Sequence, residues 1–299
     1  MNNRTRGVAW LRTLLGIGGA LLSQLPPGVV GAMPGPGQAP PQPLVIGHAG
    51  SGFVHLFNSL PPSSLRSLRR ALRHGADGVE ADVRLSQDSI PVLYHDHTLN
   101  SMTNGRGCVS QTPAARLTQL RYQVGWPHDW LQHEQLTTLE TLLRELTQYP
   151  TFPYLHLDLH EDDACSSGDA ARSQALAQRL AELLTRYQVP PARVLILTNR
   201  PATLRYLRQL LPAVPLGYEF TGEFDAGLAE LDGLSTVQAV VLHKDDITLQ
   251  RATQLHALGK QVVLFGGRSA RAVRRVVGVG PDAYQVDNVR RLQATLRRR

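Results

Sequence analysis

Beyond residue 43, short runs of β-branched and aliphatic residues alternate with longer segments whose apolar positions recur at helical spacing. The short runs are typical of buried strands, and the longer segments are typical of amphipathic helices. Strands are predicted at 44–47, 78–83, 154–159, 194–198, 215–219, 239–242, 261–265 and 283–286, and helices at 63–73, 138–147, 167–186, 201–211, 224–231, 248–258, 270–277 and 289–296. This alternation predicts an α/β fold, a (β/α)8 TIM barrel. A doubly wound open sheet is the alternative, but no G-x-G-x-x-G follows the first strand.

Two of the predicted helices carry local start signals. Thr137 and Glu140 have the spacing of a capping box. Pro201 stands at a first helical position, where the N–H that proline lacks would have no partner in the helix. We therefore expect one helix to begin directly after Thr137 and another to begin at Pro201.

The second predicted strand and its helix are separated by a long insertion, residues 84–136. It starts as a predicted hairpin, in which 83–86 and 91–94 flank a turn at 87–89. Long insertions in compact domains are usually functional, and in a TIM barrel this one would cover the catalytic face above the strand ends. Trp126 and Trp130 are expected to pack under the insertion, and lining a lipid or alcohol pocket is the alternative.

The composition of the 299-residue chain is that of a globular protein, although its formal net charge is +7. Such a balance often indicates a nucleic acid or an anionic membrane as partner. Here the arginines are spread along predicted helices, as in residues 65–70, and few aromatic residues lie between them. We therefore interpret them as solvated helix faces and expect no nucleic-acid partner.

The first 32 residues have the layout of a secretory signal peptide. Arg4, Arg6 and Arg12 precede an apolar run at 14–22, and the segment ends with small residues at 30–32. An uncleaved N-terminal anchor is the alternative. Residues 33–43 are rich in proline and glycine and are predicted to be a linker, followed by the catalytic domain at 44–299. We expect a secreted or periplasmic protein, for which peripheral membrane contact is an option.

Two acidic residues share one face of the second predicted strand. In the run Val79-Glu80-Ala81-Asp82-Val83, aliphatic residues alternate with Glu80 and Asp82. Because the aliphatic face of a barrel strand meets the helices, the two acids are expected to point inward. Two such close carboxylates repel each other unless a cation neutralises them or one keeps a proton, which favours a hard divalent metal. Acids exposed to water on an ordinary strand are the alternative.

The third predicted strand has the same alternation. Its leucines occupy one face, and His156, Asp158 and His160 occupy the other. A polar face of this kind is costly to bury unless its groups are paired or bind ions. Asp158, near the strand end, is therefore a candidate third ligand, whereas His156 is interpreted as a hydrogen-bonded interior residue.

Two histidines end strands that lead to the same face. His48 follows the first strand between flanking glycines, and His95 ends the return strand of the predicted hairpin. Histidine suits acid/base chemistry near neutral pH. Beside a metal, one histidine would accept a proton from the attacking group of a phosphodiester reaction, and the other would donate one to the leaving alkoxide. A structural role is the alternative for a lone strand-end histidine.

Taken together, these segments resemble the glycerophosphodiester phosphodiesterase family. The family pattern H-R-G, E-N-T, G-A-D-x-x-E-x-D-V and P-V-x-x-H-D is matched in order by residues 48–50, 57–59, 75–83 and 91–96. Weaker similarity continues at 157–160, which aligns with the family's E-x-K, and at 283–287, which aligns with its closing strand and T-D. The ordered set is far more specific than any one motif.

The resemblance implies a TIM barrel with metal ligands Glu80, Asp82 and Asp158 and a catalytic pair, His48 and His95. The implied activity is metal-dependent hydrolysis of a glycerophosphodiester, or a related phosphodiester, to an alcohol and glycerol phosphate. Calcium and magnesium both suit an all-carboxylate set. The alternatives are a cyclising phospholipase similar to sphingomyelinase D and a non-catalytic barrel that binds phosphorylated ligands. The sequence indicates no particular oligomeric state.

The match departs from the family pattern around the phosphate. Ala49 replaces an arginine, Phe57 replaces the glutamate of E-N-T, and Asp158 and His160 replace the glutamate and lysine of E-x-K. His160 supplies the lost positive charge only when it is protonated. The predicted substrate-binding residues are His160, Asn58 and Arg106, the last because it lies in the insertion on the catalytic face.

The chain has only two cysteines, Cys108 in the insertion and Cys165 in the loop after the Asp158 strand. The insertion follows the second strand, and the loop with Cys165 follows the third. These strands would be neighbours in the barrel, so both connections would lie on the catalytic face. Export to an oxidising compartment would permit a disulfide between them. We therefore expect a bond that clamps the insertion near the site, with two free buried cysteines as the alternative.

Overall fold

The structure is a computed structural model that describes residues 42–165 and 170–298. The expected signal peptide at 1–32 and all but the last two positions of the expected linker lie outside the described residues. The strands are β1 (Leu44–Gly47), β2 (Gly78–Leu85), β3 (Pro91–Leu93), β4 (Thr137–Thr138), β5 (Tyr154–Leu159), β6 (Val194–Thr198), β7 (Leu216–Glu219), β8 (Ala239–His243), β9 (Gln261–Phe265) and β10 (Ala283–Val286). The helices are α1 (Leu65–Arg73), α2 (Ala114–Leu117), α3 (Leu139–Leu146), α4 (Ala170–Arg186), α5 (Pro201–Leu210), α6 (Phe224–Asp232), α7 (Leu249–Ala257), α8 (Ala270–Val279) and α9 (Val289–Leu296).

Eight parallel strands close into a barrel. Their order is β1-β2-β5-β6-β7-β8-β9-β10, and β10 pairs in parallel with β1. A helix follows each barrel strand before the next one. The predicted TIM barrel is therefore confirmed, and the open sheet is excluded because β1 has a strand on both sides.

Strand alternation divides the core into two layers. Val79, Ala81 and Val83 of β2 face outward into the large cluster between the strands and the helices. A smaller cluster that includes Ile46, Leu197 and Val241 fills the barrel interior. Most barrel strands carry aliphatic residues on both faces, because both faces of a parallel sheet of this kind are buried. The polar inward positions of β2 and β5 are the exception, and they form the site described below.

One of the two predicted helix starts is wrong. Thr137 lies on β4, where it pairs with Leu93, and the cap of α3 is Thr138. The Thr138 hydroxyl accepts a hydrogen bond from the N–H of Thr141 at 3.2 Å, so the cap lies one residue later than the sequence pattern suggested. The second start is confirmed, since α5 begins at Pro201.

The insertion folds as an extension of the barrel. β3 pairs antiparallel with the end of β2, which confirms the predicted hairpin, and β4 pairs with β3. A separate small core beneath it contains Tyr94 and Tyr122. The packing expected of Trp126 and Trp130 is wrong, because their side chains are 83% and 82% exposed.

Candidate active site

Three carboxylates meet where β2 and β5 end. Glu80 and Asp82 point into the barrel from β2, and Asp158 lies directly opposite Asp82 in the β2–β5 register. One oxygen from each group lies within 4.8 Å of the others. The predicted inward alternation therefore brings together the three residues that the sequence proposed as ligands.

Hydrogen-bond donors of the protein reach only some of the carboxylate oxygens in this acidic cluster. The Ala49 N–H donates to Oε2 of Glu80 at 2.5 Å, and the Ser63 hydroxyl donates to Oδ2 of Asp82 at 2.7 Å. The buried Oε1 of Glu80 accepts no hydrogen bond from any of the described residues. Burial, and then the charge of Asp82, raise the pKa of Glu80 well above its usual value. An orphaned oxygen among hard donors fits a divalent cation, which would relieve the repulsion.

His48 is held by an acid from the last strand–helix connection. Its Nδ1 lies 2.7 Å from Oδ1 of Asp287, whose other oxygen accepts the Gly267 N–H at 2.9 Å. Burial by itself lowers the pKa of His48, but the hydrogen bond to Asp287 and the charges of Glu80, Asp287 and Asp82 raise it to about 9. His48 therefore carries a proton at neutral pH, and its Nε2 is the nitrogen that can meet a substrate.

His95 lies across the cavity from His48. Its Nδ1 lies 2.6 Å from Oδ1 of Asp96. The Phe53 ring packs edge-on between the two histidines, with centroids 5.5 Å from His48 and 5.6 Å from His95. The buried Arg84 donates from Nε to the His95 carbonyl at 2.7 Å. Both histidines are therefore oriented by an acid at Nδ1.

His160 lies between the carboxylates and His95. Its Nε2 is 3.0 Å from Asp82 and 3.5 Å from Asp158. Burial opposes its charge, but Asp158 and Asp82 raise the pKa of His160 well above its usual value. The two carboxylates therefore favour the positively charged form of the imidazole, at the position where the family pattern has lysine. Asp82, His95 and His160 also form a second group of possible metal ligands within 4.8 Å.

One cavity of about 580 Å³ at the carboxyl ends of the strands is lined by Asp82, Asp158 and the three histidines His48, His95 and His160. The cavity also contains Glu219 at the end of β7, which sequence reasoning missed. Burial, and then the charge of Asp158, raise the pKa of Glu219 to about 8. The sequence feature that could have identified Glu219 is its position as an acid at the end of a predicted strand. Arg84 was missed as well, although it continues the alternation of Glu80 and Asp82.

His156 lies one layer deeper, opposite Glu80 in the strand register. Its Nδ1 is 2.9 Å from Nε2 of Gln285, and burial lowers its pKa to about 3. A neutral ring that accepts from a buried amide is an interior hydrogen-bonded residue, as the sequence indicated.

Two predicted substrate-binding residues do not line the cavity. The Asn58 amide is used locally: its Nδ2 donates to the carbonyls of Ser51, Gly52 and Phe53. Arg106 is exposed and lies outside the cavity lining. Asn58 therefore shapes the loop that carries Phe53, and local sequence similarity could not distinguish that role from substrate contact.

A disulfide joins Cys108 and Cys165, which is the pairing expected from the sequence. Their Cα atoms are 6.3 Å apart, and the bond ties the insertion to the loop after β5. The Gln111 amide adds a hydrogen bond to the Cys165 carbonyl at 3.3 Å. The insertion is thus fixed beside Asp158 and His160.

The fold and the site define a TIM barrel with a carboxylate–histidine centre on its catalytic face. The family model described as "Glycerophosphoryl diester phosphodiesterase family" matches residues 56–291, and the chain belongs to this family. Among curated proteins, it is 38% identical over 88 residues to a probable glycerophosphodiester phosphodiesterase 1 of Mycobacterium tuberculosis, covering 29% of this chain and 30% of that protein. A glycerophosphodiester phosphodiesterase of Caldanaerobacter subterraneus is 35% identical over 77 residues, covering 26% and 30%. The chain thus matches less than a third of the length of these relatives.

Solved structures cover the fold more completely. A phosphodiesterase of Oleispira antarctica, in complex with the product sn-glycerol-3-phosphate, has a TM-score of 0.73 and 26% identity over 86% of this chain and 97% of that chain. A protein described as a glycerophosphoryl diester phosphodiesterase of Silicibacter pomeroyi has the same TM-score at 22% identity, over 86% and 94%. The second likeness concerns the fold alone.

Proposed function

We propose that this protein is a metal-dependent phosphodiesterase that hydrolyses glycerophosphodiesters to an alcohol and glycerol phosphate. The observation that carries the proposal is a cluster of three carboxylates, Glu80, Asp82 and Asp158, at a cavity that two acid-oriented histidines also line. Membership of the family supports the reaction class. The product bound to the Oleispira antarctica enzyme supports a glycerol phosphate product.

Glu80, Asp82 and Asp158 would hold the divalent cation. When bound, a cation of this kind neutralises charge on the phosphoryl oxygens. The all-oxygen ligand set favours calcium or magnesium. The orphaned Oε1 of Glu80 supports this assignment, because the protein itself offers it no donor among the described residues.

The two histidines divide the proton transfers. His48, protonated through its contact with Asp287, donates its Nε2 proton to the oxygen of the leaving alcohol as the P–O bond breaks. His95, oriented by Asp96, accepts a proton from the water that forms the new P–O bond. The charged His160 lies beside the phosphoryl position and takes the place of the family's lysine in attracting its oxygens.

We also propose that the protein works in an oxidising compartment, as its N-terminal sequence pattern suggests. The Cys108–Cys165 bond supports this location, since disulfides persist mainly in exported proteins. A free-thiol assay on the protein isolated from its native source tests it. Two titratable thiols in the native material would contradict the proposal.

Turnover of glycerophosphocholine, followed with calcium, magnesium or a chelator, tests the function. We expect activity with at least one cation, its loss on chelation, and a fall of about 10³-fold or more in His48→Ala and Glu80→Gln. Glu182→Gln, an exposed acid on α4, is the matched control and should keep full activity. Full turnover by His48→Ala would contradict the mechanism. Phosphorus NMR distinguishes a linear phosphomonoester from the cyclic phosphate that a cyclising phospholipase would release.

A further inference from the structure

Exposed apolar side chains are concentrated in one region of the described surface. Among the described residues, seven large hydrophobic side chains are strongly exposed, and five of them fall in two short loop segments. We call these five the apolar rim: Leu56, Phe57, Trp126, Trp130 and Leu131, which are between 63% and 83% exposed. The other two, Leu249 and Leu258, belong to α7 and its C-terminal end. A clustered apolar surface of this kind marks an interaction site more often than scattered single residues do.

Both segments of the apolar rim lie on the catalytic face. The first follows the carboxyl end of β1, and the second belongs to the insertion after β2. The loops that carry them are joined below the rim, where the Tyr122 hydroxyl donates to the Pro62 carbonyl at 3.3 Å, and His55 and His128, which lie beside the two segments, are near enough for their charges to interact. Phe53, three residues before the rim, packs against His48 and His95. The rim therefore borders the entrance to the active site.

The turn that carries the two tryptophans is held by its own hydrogen bonds. The Asp129 carboxylate accepts the N–H groups of Val124 at 2.8 Å and Gly125 at 3.2 Å. A hydrogen-bonded turn thus presents Trp126 and Trp130 to the exterior. Tryptophan prefers the boundary between water and lipid, where its ring is apolar and its N–H stays hydrated.

A cationic cavity of about 210 Å³ adjoins the rim at Phe57. Its lining includes Arg70, Arg290, His55 and His74. Within the described chain, no carboxylate lies within 4 Å of either arginine.

The one acid in that lining is already engaged. Both oxygens of Asp287 are taken, one by His48 and the other by the Gly267 N–H. Burial, and then the charge of Arg290, lower the pKa of His74. An anion in this cavity would relieve the mutual repulsion of its cations.

We propose that the catalytic face docks on an anionic phospholipid surface. The apolar rim enters the interfacial layer, and a lipid phosphate occupies the cavity lined by Arg70 and Arg290. Without Arg4, Arg6 and Arg12 of the expected signal peptide, 28 basic and 24 acidic residues leave a formal net charge of +4, which favours approach to such a surface. Among the described residues, no helix is long and apolar enough to cross a membrane.

Docking by itself requires no turnover. Its consequence, that phosphodiester substrates are taken at a lipid surface, rests on the proposed function. Binding and activity are therefore measured separately, and a soluble glycerophosphodiester serves as the activity probe.

Co-sedimentation with vesicles tests the docking. We compare phosphatidylcholine vesicles with vesicles that also contain phosphatidylglycerol. Wild type should bind the anionic vesicles more tightly, with a blue shift of its tryptophan fluorescence. Phe57→Ser/Trp126→Ser/Trp130→Ser should lose about tenfold or more in partitioning while turning over soluble glycerophosphocholine normally. Leu249→Ser/Leu258→Ser, which removes two apolar side chains elsewhere, should bind like wild type.

Arg70→Gln/Arg290→Gln separates the two parts of the proposal. It should reduce the preference for anionic over neutral vesicles about tenfold and leave the weak binding to neutral vesicles in place. Inorganic phosphate is the probe for the free anion. Phosphate binding without vesicle binding would overturn lipid docking in favour of a soluble-anion site. A dimer in sedimentation velocity that the triple serine variant abolishes would assign the rim to a second copy of the chain instead.

Discussion

Nδ1 of His48 lies 2.7 Å from Oδ1 of Asp287, although 239 positions separate the two residues along the chain. Closure of the barrel creates this contact, because β1 and β10 pair in parallel and both residues directly follow their strands. Gly52 permits it, since a Cβ at that position would lie 2.7 Å from the Cβ of Asp287. Asp287 thereby holds the imidazole in one orientation and favours its protonated form.

Asp287→Asn should lower activity about 100-fold, because the amide keeps the shape but removes the charge that holds the proton on His48. A proton donor works only below its pKa. Lowering the pKa of His48 should therefore move the alkaline loss of activity to lower pH. The pH dependence of kcat measures this shift. Asp225→Asn, an exposed acid on α6, is the control, and an unshifted profile for Asp287→Asn would contradict the assignment of His48 as the donor.

Glu80→Gln should have opposite effects on stability with and without metal. In chelator, the variant should be more stable by about 1–2 kcal/mol, because it removes a like charge from a buried cluster. With a saturating cation, wild type should gain about 3 kcal/mol at 100 times its Kd, and the variant should gain much less. Thermal unfolding in chelator and in calcium or magnesium measures both differences. Glu182→Gln should behave like wild type, and equal cation stabilisation of both proteins would remove Glu80 from the ligand set.

Glu219→Gln should stabilise the chelated protein at alkaline pH. The carboxyl pKa is raised from 4.5 to about 8, first by burial and then by the charge of Asp158. The favourable contribution of the protonated group is therefore complete below about pH 4.5 and is lost as the pH rises through about 8. Above pH 8 wild type carries a buried charge that the variant lacks, which corresponds to about 2–4 kcal/mol. Denaturant titrations from pH 4 to 9 measure the difference, with Glu223→Gln as the exposed control. A difference that stays constant over this range would contradict the raised pKa.

The sequence predicted those parts of the site that depend on local periodicity. Alternation along β2 and β5 placed Glu80, Asp82 and Asp158 on inward faces, and the strand pairing confirmed this geometry. Alternation cannot show which distant loops return to the site. The contact of Asp287 with His48 depends on barrel closure, and the cavity position of Glu219 depends on which strand ends converge.

The errors arose where a local signal had two structural explanations. Asn58 follows the family motif, but its amide closes its own loop and lies outside the lining of the active-site cavity. Trp126 and Trp130 suggested a packed aromatic core, because burial is the usual fate of tryptophan in a long insertion. The small core of the insertion instead uses Tyr94 and Tyr122, which leaves both tryptophans at the surface. Hydrophobicity alone does not distinguish a core residue from an interfacial one.

Zinc should inhibit the enzyme through a ligand set that partly overlaps the catalytic one. Asp82, His95 and His160 offer one carboxylate and two imidazoles within 4.8 Å, a combination that suits Zn²⁺ better than Ca²⁺ or Mg²⁺. Zinc held there would occupy His95 and remove the proposed proton acceptor. His160→Lys keeps the positive charge but removes one ligand, so it should remain active and raise the inhibition constant for zinc about tenfold or more. Initial rates at saturating magnesium or calcium, titrated with zinc, measure this constant. His243→Gln alters a cavity histidine outside the cluster and should remain as sensitive as wild type; equal sensitivity of His160→Lys would place the inhibitory zinc elsewhere.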